Sequence, residues 1–200
     1  MSKTPDTFYH VDRAGFLQVG QQLTAQPLQF SSKHSTDVQS TANSLYPRGL
    51  SSQGQKYLLS DPLLIQIWVA PIVTKYGQLV QTGPIHPETV PAYSMVNDLI
   101  LELVRRADSP DKPSRYETFF AWNDEATARR FAQKYNTSSY KIFEVCGEPK
   151  FCADMLWTKL GFSAAEAWHN ARQYWAGAPR ENQLWEHFLA FPVQVVAEIP

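Results

Sequence analysis

Tyr116-Glu117-Thr118-Phe119-Phe120-Ala121-Trp122-Asn123-Asp124-Glu125-Ala126-Thr127-Ala128-Arg129-Arg130-Phe131 changes its period part-way along, and that change decides the fold class. Up to Trp122 the run is rich in aromatic residues, which favour a pleated strand. Asn123 or Asp124 then caps a helix, because a short polar side chain accepts from the first unpaired backbone N–H groups. Beyond the cap, Ala128, Phe131, Ala132 and Tyr135 recur three and four apart and form a buried stripe. Residues 140–145 return to strand character, completing a strand–helix–strand unit.

Toward the C-terminus, Ser163-Ala164-Ala165-Glu166 is a capping box. It opens a helix with Ala164, Trp168, Ala171 and Trp175 on one face. Gly177 stands where a left-handed stop is needed. Residues 183–191 and 193–199 read as two closing strands separated by Pro192. Toward the N-terminus, residues 7–11 alternate with period two and make a first strand, Phe8 and His10 on one face and Tyr9 and Val11 on the other. Residues 20–44 are rich in Gln, Ser and Thr and read as loop with small elements. Residues 45–50 make a turn, followed by a short helix through Tyr57 and Leu59. The stretch 61–90 is ambiguous between strand and helix and is divided by Pro71, Pro84 and Pro87, with Pro91 just beyond it. From Ser94 a helix is expected, with Val96, Leu99, Ile100 and Leu103 as its face, ending in a loop over residues 107–113. This order predicts an α+β fold.

Composition bounds the class. A chain of 200 residues fits one domain, and its 18% charged residues fall below the roughly 25% of an average soluble domain. With 44% hydrophobic residues it can build a full core. A formal net charge of −1 announces no nucleic-acid binder, yet leaves room for a local groove. Residues 63–73 are interrupted by Gln66 and Pro71 and fall short of a bilayer span. The start, Met-Ser-Lys-Thr-Pro-Asp, has no apolar secretion segment, so a cytoplasmic chain without membrane contact is expected. Cys146 and Cys152 are too few for a disulfide scaffold and lack zinc-site spacing, so reduced thiols and no metal are expected.

Glu186 draws attention first. It shares a strand face with Leu184 and Phe188, and a carboxylate among apolar neighbours is costly unless it is paired or used. His10 poses the same question at the other end of the chain. Arg13, just past the first strand, reads as a solvent-facing charge. His34, His86 and His169 have no ligand-like spacing. No phosphate loop, Gly-x-Ser-x-Gly elbow, His-Glu-x-x-His or dinucleotide fingerprint is present, which removes kinases, Rossmann dehydrogenases, α/β-hydrolases and zincins.

The residues Phe8-Tyr9-His10-Val11-Asp12-Arg13 resemble the first strand of ADP-ribosyltransferases of the diphtheria-toxin type. The segment Phe119 to Phe131 resembles the central unit of that fold, where an aromatic ends a strand and a second follows eleven residues later on a helix; Phe120 and Phe131 have this spacing. Leu184-Trp185-Glu186 falls where the family's glutamate stands. The order is that of the His-Tyr-Glu class, with phenylalanine in place of both tyrosines. The full length is also similar to a bacterial family without assigned activity, through Tyr9 to Arg13, Leu45 to Leu50, Arg115 to Trp122 and Leu184 to Glu186.

The resemblance implies split mixed or antiparallel sheets flanked by helices, in one domain over residues 1–200, with a long insertion over roughly 20–113. It implies that NAD is a substrate, that Glu186 and His10 are catalytic, and that His10 also holds the adenosine ribose. Phe120 and Phe131 would stack on nicotinamide, unless they are plain core. Arg13 and Arg115 would hold the pyrophosphate, though Arg115 could instead pair with Glu117 or Asp111. Tyr46 would line the adenine end or pack in the core, and Trp122 would enter the cleft or staple the helix start. The implied activity is transfer of ADP-ribose to a macromolecular acceptor, protein or nucleic acid, by a bacterial toxin, effector or phage-defence enzyme, with an antitoxin or immunity partner. A non-catalytic binding module, an NAD glycohydrolase and an RNA 2′-phosphotransferase are the alternatives.

Overall fold

Two long strands carry the architecture, β6 (Lys141–Asp154) and β7 (Trp185–Ile199), paired antiparallel from Ile142↔Ile199 to Asp154↔Trp185. The structure, a computed structural model, describes residues 6–59, 72–73, 79–80, 89–135, 139–159 and 163–200. On the free edge of β6 lies β1 (Thr7–Asp12). Two short strands, β2 (Gln22–Leu23) and β5 (Phe119–Ala121), both join β7. A backbone bridge between Tyr9 and Trp122, with N–H···O distances of 2.8 Å in each direction, ties the end of β5 back to β1. The strands β1, β6, β7 and β5 therefore close into a ring.

Ring closure creates an inner face, and each of the four strands supplies it. Phe8, Ala121, Phe143, Val145, Leu189, Val193 and Val195 pack together there. Helices cover the outer face. The helix α4 (Glu125–Lys134) lays Ala128, Phe131 and Ala132 against Val11, Trp122, Ile142 and Leu184. The helices α3 (Thr89–Asp108) and α5 (Ala164–Trp175) bring Leu101, Val104, Ala171, Tyr174 and Trp175 onto Phe120, Ala153 and Phe188. The helices α1 (Thr36–Leu45) and α2 (Ser52–Leu59) flank a smaller cluster of Tyr46, Leu50 and Tyr116. A separate ladder joins β3 (Ile72–Val73) to β4 (Leu79–Val80). The fold is α+β, and its described strand pairs are antiparallel.

Local signals at the element ends hold. Asp124 caps α4 by accepting from the Thr127 N–H at 2.7 Å. Ser163 and Glu166 form the capping box of α5, and Gly177 sits at φ 65°. Other expectations need correction. Residues 36–45, mostly within the stretch expected to be loop with small elements, form the ten-residue helix α1, because Ser35 caps them and Ala42 supplies a buried contact. Residues 115–118 are a turn, and the expected strand shrinks to β5. The helix α3 begins at Thr89 and takes Pro91 into its first turn, where a missing N–H costs no bond.

Residues 185–199 form one strand through Pro192 instead of two. Ala190 pairs with Glu148 and Gln194 with Cys146, so Pro192 falls inside a bulge where β7 has residues to spare and no ladder N–H is demanded. The face of α3 is also the reverse of the expected one. Val96, Leu99 and Leu103 are exposed and Ile100 alone of the expected face packs against the core, while Asp98, Leu101, Glu102 and Arg105 are buried. On α5, Trp168 is likewise exposed and Tyr174 takes its place inside. Ile65, Ile67, Trp68 and Val69, expected to cover the sheet from the insertion, lie outside the described residues.

Candidate functional site

Glu186 is 4% exposed, and its neighbours explain how a carboxylate survives there. The register of β7 places it opposite Ala153 on β6, on the outer face with Phe188. Arg115, on the turn before β5, reaches in and donates from Nη1 to Glu186 Oε1 at 2.5 Å and from Nε to Asp98 Oδ1 at 2.5 Å. Tyr174 of α5 accepts from the same Nη1 and donates its hydroxyl hydrogen to Glu186 Oε1. The guanidinium lies 4.5 Å over the ring of Phe120, so its flat face is covered as its edge is bonded. Four elements thus meet at one buried cation.

The electrostatics follow from that crowding. Burial disfavours the Arg115 charge, but Asp98, Glu186 and Tyr174 outweigh it and hold the guanidinium well above its ordinary range. Burial pushes the Asp98 carboxyl up, against the pull of Arg115. The Tyr174 phenol is raised well above its ordinary value, first by burial and then by the carboxylates, against Arg115, so it stays a donor.

One oxygen of Glu186 is therefore committed, and the other is not. Oε2 makes no hydrogen bond within the described residues. Tyr57 of α2 and Tyr135 at the end of α4 both feel the charge of this carboxylate and that of Arg13. Burial raises both phenols; Asp98 and then Glu186 raise Tyr57 further and Glu186 raises Tyr135, while Arg13 opposes both. Arg13 itself is exposed and lies 5.6 Å from the centroid of Phe131.

His10 is on the other face. It pairs with Phe143 across β1 and β6, on the side that packs Phe8, Phe143 and Val145. Its ring is 4.3 Å from that of Phe119, and Phe8 contacts His187, the neighbour of Glu186 that alternates away from it. Nδ1 lies 2.7 Å from the Phe120 carbonyl, which can only accept, so Nδ1 carries the proton and Nε2 is the acceptor of the neutral ring. Burial lowers the pKa of this imidazole, partly offset by that bond and by Asp12. The link from His10 to Glu186 runs through the strand of Phe120, not from side chain to side chain.

Residues 8–200 match a family described as a protein of unknown function, DUF2441. The chain belongs to that family. No curated protein matches the DUF2441 chain. Of the residues singled out in its sequence, Glu186, Arg115 and Phe120 come together, while Arg13, Phe131 and Trp122 meet in a separate cluster. The partner of Arg115 is neither Glu117 nor Asp111, because the chain turn at 115–118 points the guanidinium inward.

The two phenylalanines do not make one sandwich. Phe120 packs beneath Arg115 and edge-on to Phe188 at 5.0 Å, while Phe131 lies against Trp122 at 4.3 Å in a different cluster. Tyr46 is 3% exposed. Its hydroxyl contacts Glu102, and its pKa is pushed up to about 12, first by burial and then by that carboxylate. It is core. Asp98, Tyr174 and Tyr57 went unnoticed in the sequence. The signal for Asp98 was its spacing with Leu101, Glu102 and Arg105, a helical stripe as regular as the apolar one beside it.

Among the described residues, no helix is long and apolar enough to cross a membrane.

Proposed function

We propose that this chain transfers ADP-ribose from NAD to a macromolecular acceptor, with Glu186 as the carboxylate of the reaction. The reading is carried by one observation: a buried glutamate with Oε1 held by Arg115 and Tyr174 and with no hydrogen bond to Oε2 among the described residues. Cleaving the bond between nicotinamide and ribose sends the electron pair to the pyridinium nitrogen, which becomes neutral. The ribose C1′ is left as an oxocarbenium-like centre, and the acceptor forms the new bond to C1′ and loses its proton. This chemistry asks for positioning and for a fixed negative charge beside the developing cation. Arg115 and Tyr174 fix the carboxylate; Oε2 meets the ribose. The exposed guanidinium of Arg13, next to Phe131, suits a phosphate oxygen pair. His10, neutral and bonded to the backbone of Phe120, orients β5 and takes no part at Oε2.

The test is nicotinamide release from NAD, with labelled adenylate to follow the acceptor. Glu186→Gln keeps the shape and removes the charge, and the expected loss is about 100-fold or more, the worth of one well-placed electrostatic group. Wild-type protein that neither binds nor consumes NAD overturns the reading. A second reading, a binding module without catalysis, is favoured by the pairing of Glu186 with Arg115 and by the covered ring of Phe120. It predicts equal behaviour of wild type and Glu186→Gln with NAD.

A further inference from the structure

Trp185 is unlike the other aromatic residues of the sheet. It is half-buried, yet it belongs to none of the four apolar clusters and contacts no other aromatic ring among the described residues. Its indole N–H has no hydrogen-bond partner among the described residues. It lines instead a cavity of about 270 Å³ between the start of α4 and the start of β7, together with Asn123, Asn182, Gln183 and Arg130. Asn182 holds φ 56°, a left-handed conformation that asparagine tolerates in a tight turn.

The chemistry of this lining is specific. Three carboxamides each offer two donors and one acceptor oxygen, and none of their side chains is bonded to another described residue. Arg130 donates to the Gln183 carbonyl at 2.6 Å, which fixes the guanidinium at the rim. The one acid at the cavity, Asp124, is already committed, one oxygen to the Thr127 N–H and the other to the Thr127 hydroxyl at 2.9 Å. The cavity is smaller than the roughly 300–1,000 Å³ that holds drug-sized ligands, and it is polar except for one flat aromatic wall.

We infer that this cavity is a binding pocket for a single unpaired nucleobase, taken from single-stranded nucleic acid. Trp185 supplies the stacking surface that every base can use, the carboxamides read donor and acceptor atoms on the base edge, and Arg130 faces the backbone phosphate. Asn123, Asn182, Gln183 and Arg130 are exposed, so the pocket is open to a strand lying on the surface. The pocket stands apart from NAD chemistry and survives the failure of the transferase reading.

The experiment is fluorescence anisotropy of the full chain with short labelled single strands of DNA and RNA, each compared with an abasic strand of equal length. Wild type is expected to bind base-bearing strands and to discriminate against the abasic ones. Trp185→Ala is expected to weaken binding about fivefold to 150-fold, the worth of one stacked base. Asn182→Gly keeps the left-handed backbone open and removes only the carboxamide, so it is expected to change base preference while leaving thermal stability intact. Equal affinity for abasic strands, no binding by wild type, or unchanged binding by both variants overturns the pocket. Recovery of a bound protein in place of nucleic acid does the same.

Discussion

Replacing Arg115 by methionine tests the account of the buried site most directly. The guanidinium is 8% exposed at its side chain and neutralises two carboxylates, Asp98 and Glu186. Methionine fills much of the same channel over Phe120 but leaves both acids inside the protein with only the Tyr174 hydroxyl between them. Removing one partner of a buried ion pair costs about 3–5 kcal/mol, and here two pairs share the cation, so the upper end is expected. For a domain of this size that corresponds to a melting temperature lower by roughly 6–20 °C. Set against a total stability of about 5–15 kcal/mol, the variant is marginal.

The pH dependence gives the sharper check. Burial already raises the Asp98 carboxyl in the native protein, and Arg115 is the main influence opposing it. Without the guanidinium, the folded state holds a proton on Asp98 at pH values where the unfolded chain has lost it. The variant's deficit relative to wild type therefore narrows as pH falls from 7.5 toward 5, whatever the histidines common to both contribute. Urea denaturation at both pH values measures this. A loss under about 1 kcal/mol at pH 7.5 refutes the reasoning, since it falls within the range of an exposed pair. So does a deficit of equal size at the two pH values.

Two further outcomes follow from contacts already described. Gly54→Ala in α2 should reverse the usual gain of about 0.5–1 kcal/mol from adding a methyl to a helix, because its Cβ would stand 2.1 Å from the Tyr116 carbonyl oxygen. The expected result is a loss of about 1–3 kcal/mol or more, read from denaturant midpoints, and any stabilisation contradicts it. Burial lowers the pKa of His10 and of His187, so the unfolded chain binds protons that the native one refuses. Stability should fall as pH drops below about 6.5, and the double variant His10→Gln, His187→Gln should flatten that slope; an unchanged slope removes these imidazoles as its cause.

Much of the fold was legible in short stretches. The caps at Asp124 and Ser163, the stop at Gly177, and the stripe of Ala128, Phe131 and Ala132 depend on neighbours within a turn or two, and such contacts are written in the sequence. The helix α3 shows where that legibility ends. Its apolar stripe and its charged stripe have the same period, and only the arrival of Arg115 from another element turns the charged one inward. In the same way Pro192 reads as a strand end until the bulge opposite Cys146 and Glu148 removes the need for its N–H.

By itself, then, the sequence determined the α+β order of elements, the helix caps, and the suspicion that a carboxylate at 186 sits among apolar neighbours. Tertiary structure alone decided who meets that carboxylate. Strand alternation sends His10 to the inner face and Glu186 to the outer, while Arg115 and Tyr174 reach it from separate parts of the chain and Asp98 of α3 holds the other edge of Arg115. The reason is physical: a buried charge is tolerated only where donors from distant parts of the chain converge, and such convergence leaves no period in the sequence.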